Sequence, residues 1–124
     1  KGKELMKRAV TSQGQDLESQ VDPRFGRAAY ILIVDSETFE FEVLDNKENV
    51  NALKGAGIQA ASMLSNGGAE VLLTGFCGPN AFTTLNAAKI KVANEVEGTV
   101  REAVKAFKKG KLSFADEANV EGHW

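Results

Sequence analysis

The spacing of apolar residues changes near residue 50. Before that point the apolar positions form three strand-like runs, at 7–12, 29–35 and 39–44. The run 29–35 is almost continuously apolar, which is typical of a strand buried on both faces. The run 39–44 repeats with a period of two, which predicts an edge strand with one solvated face. The turn between these two runs is short and predicts a hairpin.

After residue 50, short apolar runs alternate with segments of helical spacing. Pro79 fits the first turn of a helix, where a missing N–H costs nothing. Thr99 and Glu102 form a capping box at the start of the last helix, and Gly110 ends that helix. The predicted elements of this half are strands at 70–75 and 90–94 and helices that end at Gly67-Gly68, span 78–89 and span 98–110.

The element order βββαβαβα predicts an α/β fold. A hairpin followed by right-handed βα units gives a mixed five-stranded sheet of order 3-2-1-4-5, with helices on both faces. Strands 1, 4 and 5 are then parallel, and the order of the strands reverses between strands 1 and 4. Ligands of open α/β sheets bind outside the carboxyl ends of the strands at such a reversal. The sequence therefore predicts a binding site at this end of the sheet.

The periodic part of the chain forms one predicted domain, residues 6–114. Met6 stands directly before the first strand, so we interpret residues 1–5 as an N-terminal extension or a remnant of the expression vector. Residues 115–124 have no clear period and are predicted to form a flexible tail, which contains the single histidine, His123.

Composition and charge exclude several classes of protein. The chain has 124 residues, of which 43% are hydrophobic and 26% charged, as expected for a globular domain. A net charge of −2 provides no basic excess for nucleic acid, and no apolar run approaches the roughly 18 residues of a membrane helix. The single cysteine excludes an intrachain disulfide and fits a reducing compartment. We therefore expect a cytoplasmic protein with neither a nucleic-acid nor a membrane partner.

Three loops that contain glycine should meet at the predicted site: 13–27 after strand 1, 75–80 after strand 4 and 94–99 after strand 5. Glycine lets a backbone approach a ligand closely, and a helix N-terminus presents N–H groups with partial positive charge. Such a place favours an anion. Arg24 and Arg27 add two guanidinium groups, so the loops predict a site for an anionic ligand.

The inventory of reactive side chains excludes most catalytic and metal sites. The sequence has no Cys/His cluster for zinc or an iron–sulfur centre, and no Ser/His pair within the domain for acyl transfer. A nuclease of this fold class would use carboxylates to hold a metal ion, but Asp16, Asp22 and Asp35 are not spaced along the strands so as to converge.

Three candidates at the site each have two interpretations. Cys77 either contacts the ligand or is a small buried residue in a tight turn. Arg27 either contacts an anion or forms a structural ion pair with Asp22 or Glu18. Phe25 either lines the ligand site or fills the core.

Four stretches resemble the dinitrogenase iron–molybdenum cofactor biosynthesis family: VDPRFGRAAY (21–30), GAGIQAA (55–61), TGFCGPNAF (74–82) and GTVREAVKAFKKGKL (98–112). The sequence is most similar to the orange-protein branch, known from anaerobic sulfate-reducing bacteria. Two departures from the family pattern are Lys89, where the family has Gly before IKV, and the long acidic loop NEVEG (94–98).

The resemblance implies a ribonuclease-H-like fold and the binding of a preformed metal–sulfur cluster. For the orange-protein branch this is an anionic molybdenum–copper sulfide cluster held without covalent protein ligands, and the iron–molybdenum cofactor or a precursor is the other cluster to consider. The residues that the motifs and the loops together nominate for cofactor binding are Gly14, Arg24, Phe25, Arg27, Gly75, Phe76, Cys77, Gly78, Asn80, Gly98 and Thr99.

The leading hypothesis is non-enzymatic binding, storage or delivery of such a cluster, with a partner protein in a cluster-assembly or redox complex. A regulatory or adaptor domain that binds a partner protein without a cluster is the alternative. A small-anion or phosphoryl-processing enzyme is a third hypothesis, against which the missing general base counts.

Overall fold

A computed structural model of the chain describes residues 7–47, 56–112 and 114. The predicted extension 1–5, the predicted tail 115–124 with His123, and Gly55 of the GAGIQAA stretch lie outside the described residues, so the domain limits remain a prediction. The strands are β1 (Lys7–Ser12), β2 (Tyr30–Asp35), β3 (Phe41–Asp45), β4 (Val71–Leu73) and β5 (Lys91–Ala93). The helices are α1 (Ala56–Asn66), α2 (Pro79–Ala87) and α3 (Val100–Lys108).

The five strands form one sheet in the order β3-β2-β1-β4-β5, as the sequence predicts. Strand β1 is antiparallel to β2 and parallel to β4, and β4 is parallel to β5. The register pairs Val10 with Leu73 and Leu73 with Ala93, so the carboxyl ends of the three parallel strands lie side by side. The strand order therefore reverses between β1 and β4, the place where the sequence analysis predicts a binding site.

Each face of the sheet is covered by a separate apolar cluster. On one face, Ile31 and Leu72 pack with residues of α1 and α2, including Leu64 and Leu85. On the other face, strand residues including Val10, Leu32 and Leu73 pack with Val100, Ala103 and Val104 of α3. The alternation of side chains along the strands supplies both clusters, and helices cover both faces as predicted.

The edge strand starts later than predicted. The sequence predicts a strand from Phe39, but Phe39 has a φ of 64° and β3 starts at Phe41. The Asp35 carboxylate accepts N–H groups of the turn, and Phe39 donates its own N–H to the Asp35 carbonyl, which lengthens the hairpin turn. Phe41 and Val43 remain 39% and 36% exposed on this edge strand.

Position 89, where the resemblance leads us to expect glycine, has a left-handed backbone. Lys89 follows α2 with a φ of 64°, a conformation that glycine adopts without the steric cost borne by other residues. Its N–H donates to the Asn86 carbonyl and Ile90 donates to the Leu85 carbonyl, so the left-handed residue closes the helix and turns the chain into β5. The departure from the pattern is accommodated without changing the strand order.

Candidate functional site

The loop after β1 is bonded to the loop before α3. Val21 donates its N–H to the Gly98 carbonyl at 2.9 Å, and Val100 donates to the Ser19 carbonyl at 2.9 Å. Leu17 is buried in the apolar cluster of the α3 face. Its carbonyl accepts the N–H of Arg101 in the first turn of α3. These contacts hold the first half of the loop against the carboxyl end of β5.

The second half of the same loop is bonded to the loop before α2. Phe76 donates its N–H to the Pro23 carbonyl at 2.6 Å, and Phe25 donates to the Phe76 carbonyl at 3.1 Å. A side chain at Gly75 would place its Cβ 2.7 Å from both Cα and the carbonyl oxygen of Pro23. The close approach of the two backbones requires glycine at this position, and it brings the loops after β1, β4 and β5 into one surface.

The two arginines near this surface have different surroundings. Arg24 has a half-exposed side chain whose Nε lies 3.7 Å from Oδ1 of the buried Asp22, and its backbone N–H donates to the same oxygen at 3.0 Å. Arg27 is partly buried. The partners predicted for Arg27 form other ion pairs, since Asp22 pairs with Arg24 and Glu18 pairs with Arg101 at 2.7 Å.

The N-termini of α2 and α3 differ in how they are capped. At α2 the N-cap is Gly78, which has no side chain that could cap the first N–H groups. At α3 the Thr99 hydroxyl accepts the Glu102 N–H and the Glu102 carboxylate accepts the Thr99 N–H. An oxygen of the same carboxylate lies 2.5 Å from the position that a Cβ of Gly98 would take. Because the carboxylate already neutralises the start of α3, the start of α2 is the better place for an anion.

The remaining nominated residues divide between the surface and the interior. Asn80 in the first turn of α2 is exposed, and Phe76 is partly exposed. Gly14 lies in a local turn, where its N–H donates to Ser12 Oγ and its carbonyl accepts the Ser12 hydroxyl. A Cβ at Gly14 would collide with Ser19. Phe25 is buried in the apolar cluster of the α1 and α2 face, which agrees with its role as a core residue.

Cys77 is fully buried in the same apolar cluster as Phe25. Burial raises the pKa of the Cys77 thiol from 9.0 to about 12. The thiol donates to the Gly78 carbonyl, with Sγ 3.7 Å from the carbonyl oxygen. A metal ligand must be a thiolate, so the surroundings of Cys77 favour a packing role.

We expect Cys77 to behave as a core residue in solution. Folded protein at pH 8 should react with iodoacetamide far more slowly than unfolded protein, because the raised pKa and the burial both suppress the thiolate. Above the ordinary pKa of 9.0 the unfolded thiol loses its proton first, so stability should fall as the pH rises from 9.0 to about 12. Cys77→Ala should flatten that fall in a denaturant titration at each pH, whereas rapid alkylation of folded protein would contradict the assignment.

A row of polar side chains crosses the carboxyl ends of the parallel strands. Thr11, Thr74 and Asn94 occupy equivalent positions, one residue beyond the last registered pairs of β1, β4 and β5. The first two are fully buried, and their hydroxyl oxygens lie 2.9 Å apart. Sequence reasoning missed this row, although a polar residue near the carboxyl end of each predicted strand, 7–12, 70–75 and 90–94, is a visible signal.

The carboxylates considered for a nuclease site do not converge. Asp16 and Asp35 each accept N–H groups of their own turn, and Asp35 ends β2 at the opposite end of the sheet. Within the part of the chain that the structure describes, no group of three or more His, Cys, Asp or Glu side chains is arranged to hold a metal ion. A cavity of about 250 Å³ also opens at that opposite end, lined by Lys7, Ile33, Asp35, Glu40, Phe41 and Glu42.

None of the helices in the described ranges combines the length and the apolar character needed to cross a bilayer.

Comparison with known proteins gives consistent matches. A sequence model of the family described as dinitrogenase iron-molybdenum cofactor matches residues 6–110. An uncharacterized protein of Methanocaldococcus jannaschii is 29% identical over 97 residues, which cover 76% of this chain and 81% of the relative.

Two solved structures share the fold at substantial sequence identity. The apo form of the orange protein from Desulfovibrio gigas is 46% identical with a TM-score of 0.91, and the match covers 94% of this chain and 98% of that chain. The NMR structure of a Thermotoga protein described as NifB, of the DUF35 family, is 39% identical with a TM-score of 0.80 and the same coverage, 94% and 98%. The predicted fold class is confirmed.

Proposed function

Because this chain belongs to the dinitrogenase iron–molybdenum cofactor family, we propose that it binds a preformed, anionic metal–sulfur cluster through non-covalent contacts. The cluster is the cargo of the protein, which stores or delivers it and performs no chemistry on it. The orange protein is similar over nearly the whole chain, which supports a molybdenum–copper sulfide cluster as the cargo ahead of the iron–molybdenum cofactor or a precursor.

The observation that carries the proposal is the junction of Arg24 with the start of α2. Arg24 and Phe76 form an isolated parallel β-bridge, and Phe76 lies two residues before the N-cap Gly78 of α2. The junction therefore combines a half-exposed guanidinium group with a helix start whose N-cap residue, Gly78, has no capping side chain. Both features stabilise negative charge, and charge-assisted hydrogen bonds to sulfide can replace bonds from protein atoms to metal.

The contacts of the nominated residues narrow the proposed site. Arg24, Arg27, Phe76, Gly78 and Asn80 form its contact surface, and Gly75 holds the loops together beneath them. Gly98 and Thr99 support the surface from the side, because the Glu102 carboxylate occupies the start of α3. Phe25, Cys77 and Gly14 have structural roles under this proposal.

The proposal also concerns the partner of the protein and its location in the cell. A carrier must transfer its cargo, so the proposal includes a partner protein in a cluster-assembly or redox complex and a cytoplasmic location. A second candidate function is an adaptor that binds a partner without a cluster. The specific observation in its favour is the pair Phe41 and Val43, which are 39% and 36% exposed on the edge strand β3.

The experiment that tests the proposal is uptake of a cluster by metal-free protein. Tetrathiomolybdate and copper are added anaerobically, small molecules are removed by gel filtration, and the visible spectrum of the protein fraction is recorded. A cluster carrier should elute with visible absorbance and a constant ratio of metal to protein. An adaptor should elute colourless, and that result would overturn the proposal.

A further inference from the structure

Asn94, at the end of the Thr11–Thr74–Asn94 row, is a partly buried residue with one exceptional polar atom. Its Oδ1 is buried and has no hydrogen-bond partner among residues 7–47, 56–112 and 114. Buried polar atoms in folded proteins are nearly always hydrogen-bonded, and an unsatisfied acceptor lowers stability. The residue directly follows β5, where the predicted site lies.

The hydroxyl protons of the row are directed away from Asn94. The Thr11 hydroxyl donates to the Asp22 carbonyl at 2.6 Å. A threonine hydroxyl has one proton, so in the 2.9 Å contact between the two hydroxyls the donor is Thr74. The Thr74 proton is therefore donated to Thr11 on β1, and the Thr11 proton is donated to the Asp22 carbonyl in the loop after β1. Neither proton is available to Asn94 Oδ1.

The backbone on both sides of Asn94 is fixed. Ala93 accepts the Thr74 N–H at 3.0 Å, and Glu95 donates its N–H to the Gly75 carbonyl at 2.8 Å. Glu95 also has a φ of 62°, a conformation that costs free energy for a residue with a side chain. Strain of this kind together with an unsatisfied polar atom occurs at functional sites, where it is retained because the site requires it.

We propose that the Asn94 amide is a further ligand-contacting group of the cluster site. Asn94 as a whole is only partly buried. Because Oδ1 is buried, the proposal places the N–H₂ end of the planar amide toward the ligand. Two N–H donors in this place suit the sulfides of an anionic cluster, which are hydrogen-bond acceptors. This inference rests on the proposed function and adds a residue that the sequence motifs do not nominate.

The proposal predicts that stability and binding change in opposite directions. Asn94→Leu has nearly the same shape but removes the unsatisfied oxygen and both donors. Its Tm in the absence of cluster should equal or exceed that of the natural protein, because replacing an unpaired polar group by an apolar one is neutral or stabilising. Its affinity for the cluster formed from tetrathiomolybdate and copper should fall about tenfold, as expected for the loss of one charge-assisted hydrogen bond.

A second variant and a spectroscopic readout keep the test independent of folding. Asn94→Asp keeps the shape, replaces the donors by a carboxylate and should lower the affinity more than Asn94→Leu does. In ¹⁵N-labelled natural protein, the Asn94 side-chain N–H₂ signal is identified by its absence from the spectra of both variants. This signal should shift when cluster is added to the natural protein. Asn86→Leu, on the exposed surface of α2, is the matched control and should change neither the affinity nor that signal.

The outcomes separate this inference from the proposed function. If the natural protein takes up no cluster, the proposed function fails and this inference fails with it. If the natural protein takes up cluster and both Asn94 variants bind it equally well, only the inference is wrong. A lower Tm in Asn94→Leu with unchanged affinity and an unshifted N–H₂ signal would show a purely structural role for Asn94 and overturn the proposal.

Discussion

Replacing Gly75 by alanine is expected to lower the free energy of unfolding by about 2–3 kcal/mol, the cost of forcing extra atoms into a close-packed contact. The added Cβ would lie 2.7 Å from Cα and the carbonyl oxygen of Pro23, a distance that real Cβ atoms do not adopt. The loop after β1 must then move away from the loop before α2. That movement also weakens the two bonds between Phe76 and the loop, at 2.6 Å and 3.1 Å, each worth about 1 kcal/mol.

Chemical denaturation of the alanine variant measures this loss. The matched control is Gly67→Ala, whose nearest contact would be 3.4 Å from the Met63 carbonyl oxygen, so a methyl group fits there with at most a small adjustment. The control should be nearly as stable as the natural protein. Equal stability of the Gly75 variant and the control would show that the two loops are not held in contact in solution.

Loss of both arginines near the start of α2 is expected to weaken cluster binding by at least about 100-fold. A hydrogen bond from a charged group contributes about 1.5–3 kcal/mol, and two of them correspond to a factor between roughly 10² and 10⁴ in the dissociation constant. Arg24→Ala combined with Arg27→Ala should therefore lose most visible absorbance on gel filtration. The binding that remains should depend less on ionic strength, because fewer charge pairs are left to be screened.

A charge-matched control separates the local effect from the net charge. Lys105→Ala combined with Lys109→Ala removes two exposed positive charges at the last turns of α3 and should retain the cluster. Circular dichroism must first show that the double arginine variant is folded, since Arg24 also pairs with the buried Asp22. Full retention by the arginine variant, with complete loss in Cys77→Ser, would make the buried thiol the anchor and reverse the assignment.

The strand order and the position of the site follow from local patterns in the sequence. The near-continuous apolar run of β2, the alternation near β3 and the Thr99–Glu102 capping box are each visible within a few residues. Because local preferences and the global fold agree, these patterns suffice to place the reversal between β1 and β4. The exception is Phe39, whose φ of 64° belongs to a hairpin turn lengthened by hydrogen bonds to Asp35, which the apolar alternation does not reveal.

The details of the site depend on contacts between distant parts of the chain. The need for glycine at position 75 comes from Pro23, which is 52 residues earlier in the sequence and 2.7 Å away from a Cβ at Gly75. The unsatisfied oxygen of Asn94 results from the direction of hydroxyl protons on two other strands. Neither relation has a periodicity or a motif, so the sequence could nominate the loops but not the roles of individual residues within them.

Protein isolated under anaerobic conditions from cells supplied with molybdate and copper shows whether the chain carries a metal–sulfur cluster. Molybdenum, copper, iron and acid-labile sulfide are quantified beside the visible spectrum. A cluster carrier should be coloured and should contain molybdenum and sulfide in a fixed ratio to the chain. A colourless, metal-free protein that also takes up no tetrathiomolybdate and copper would contradict the proposed function.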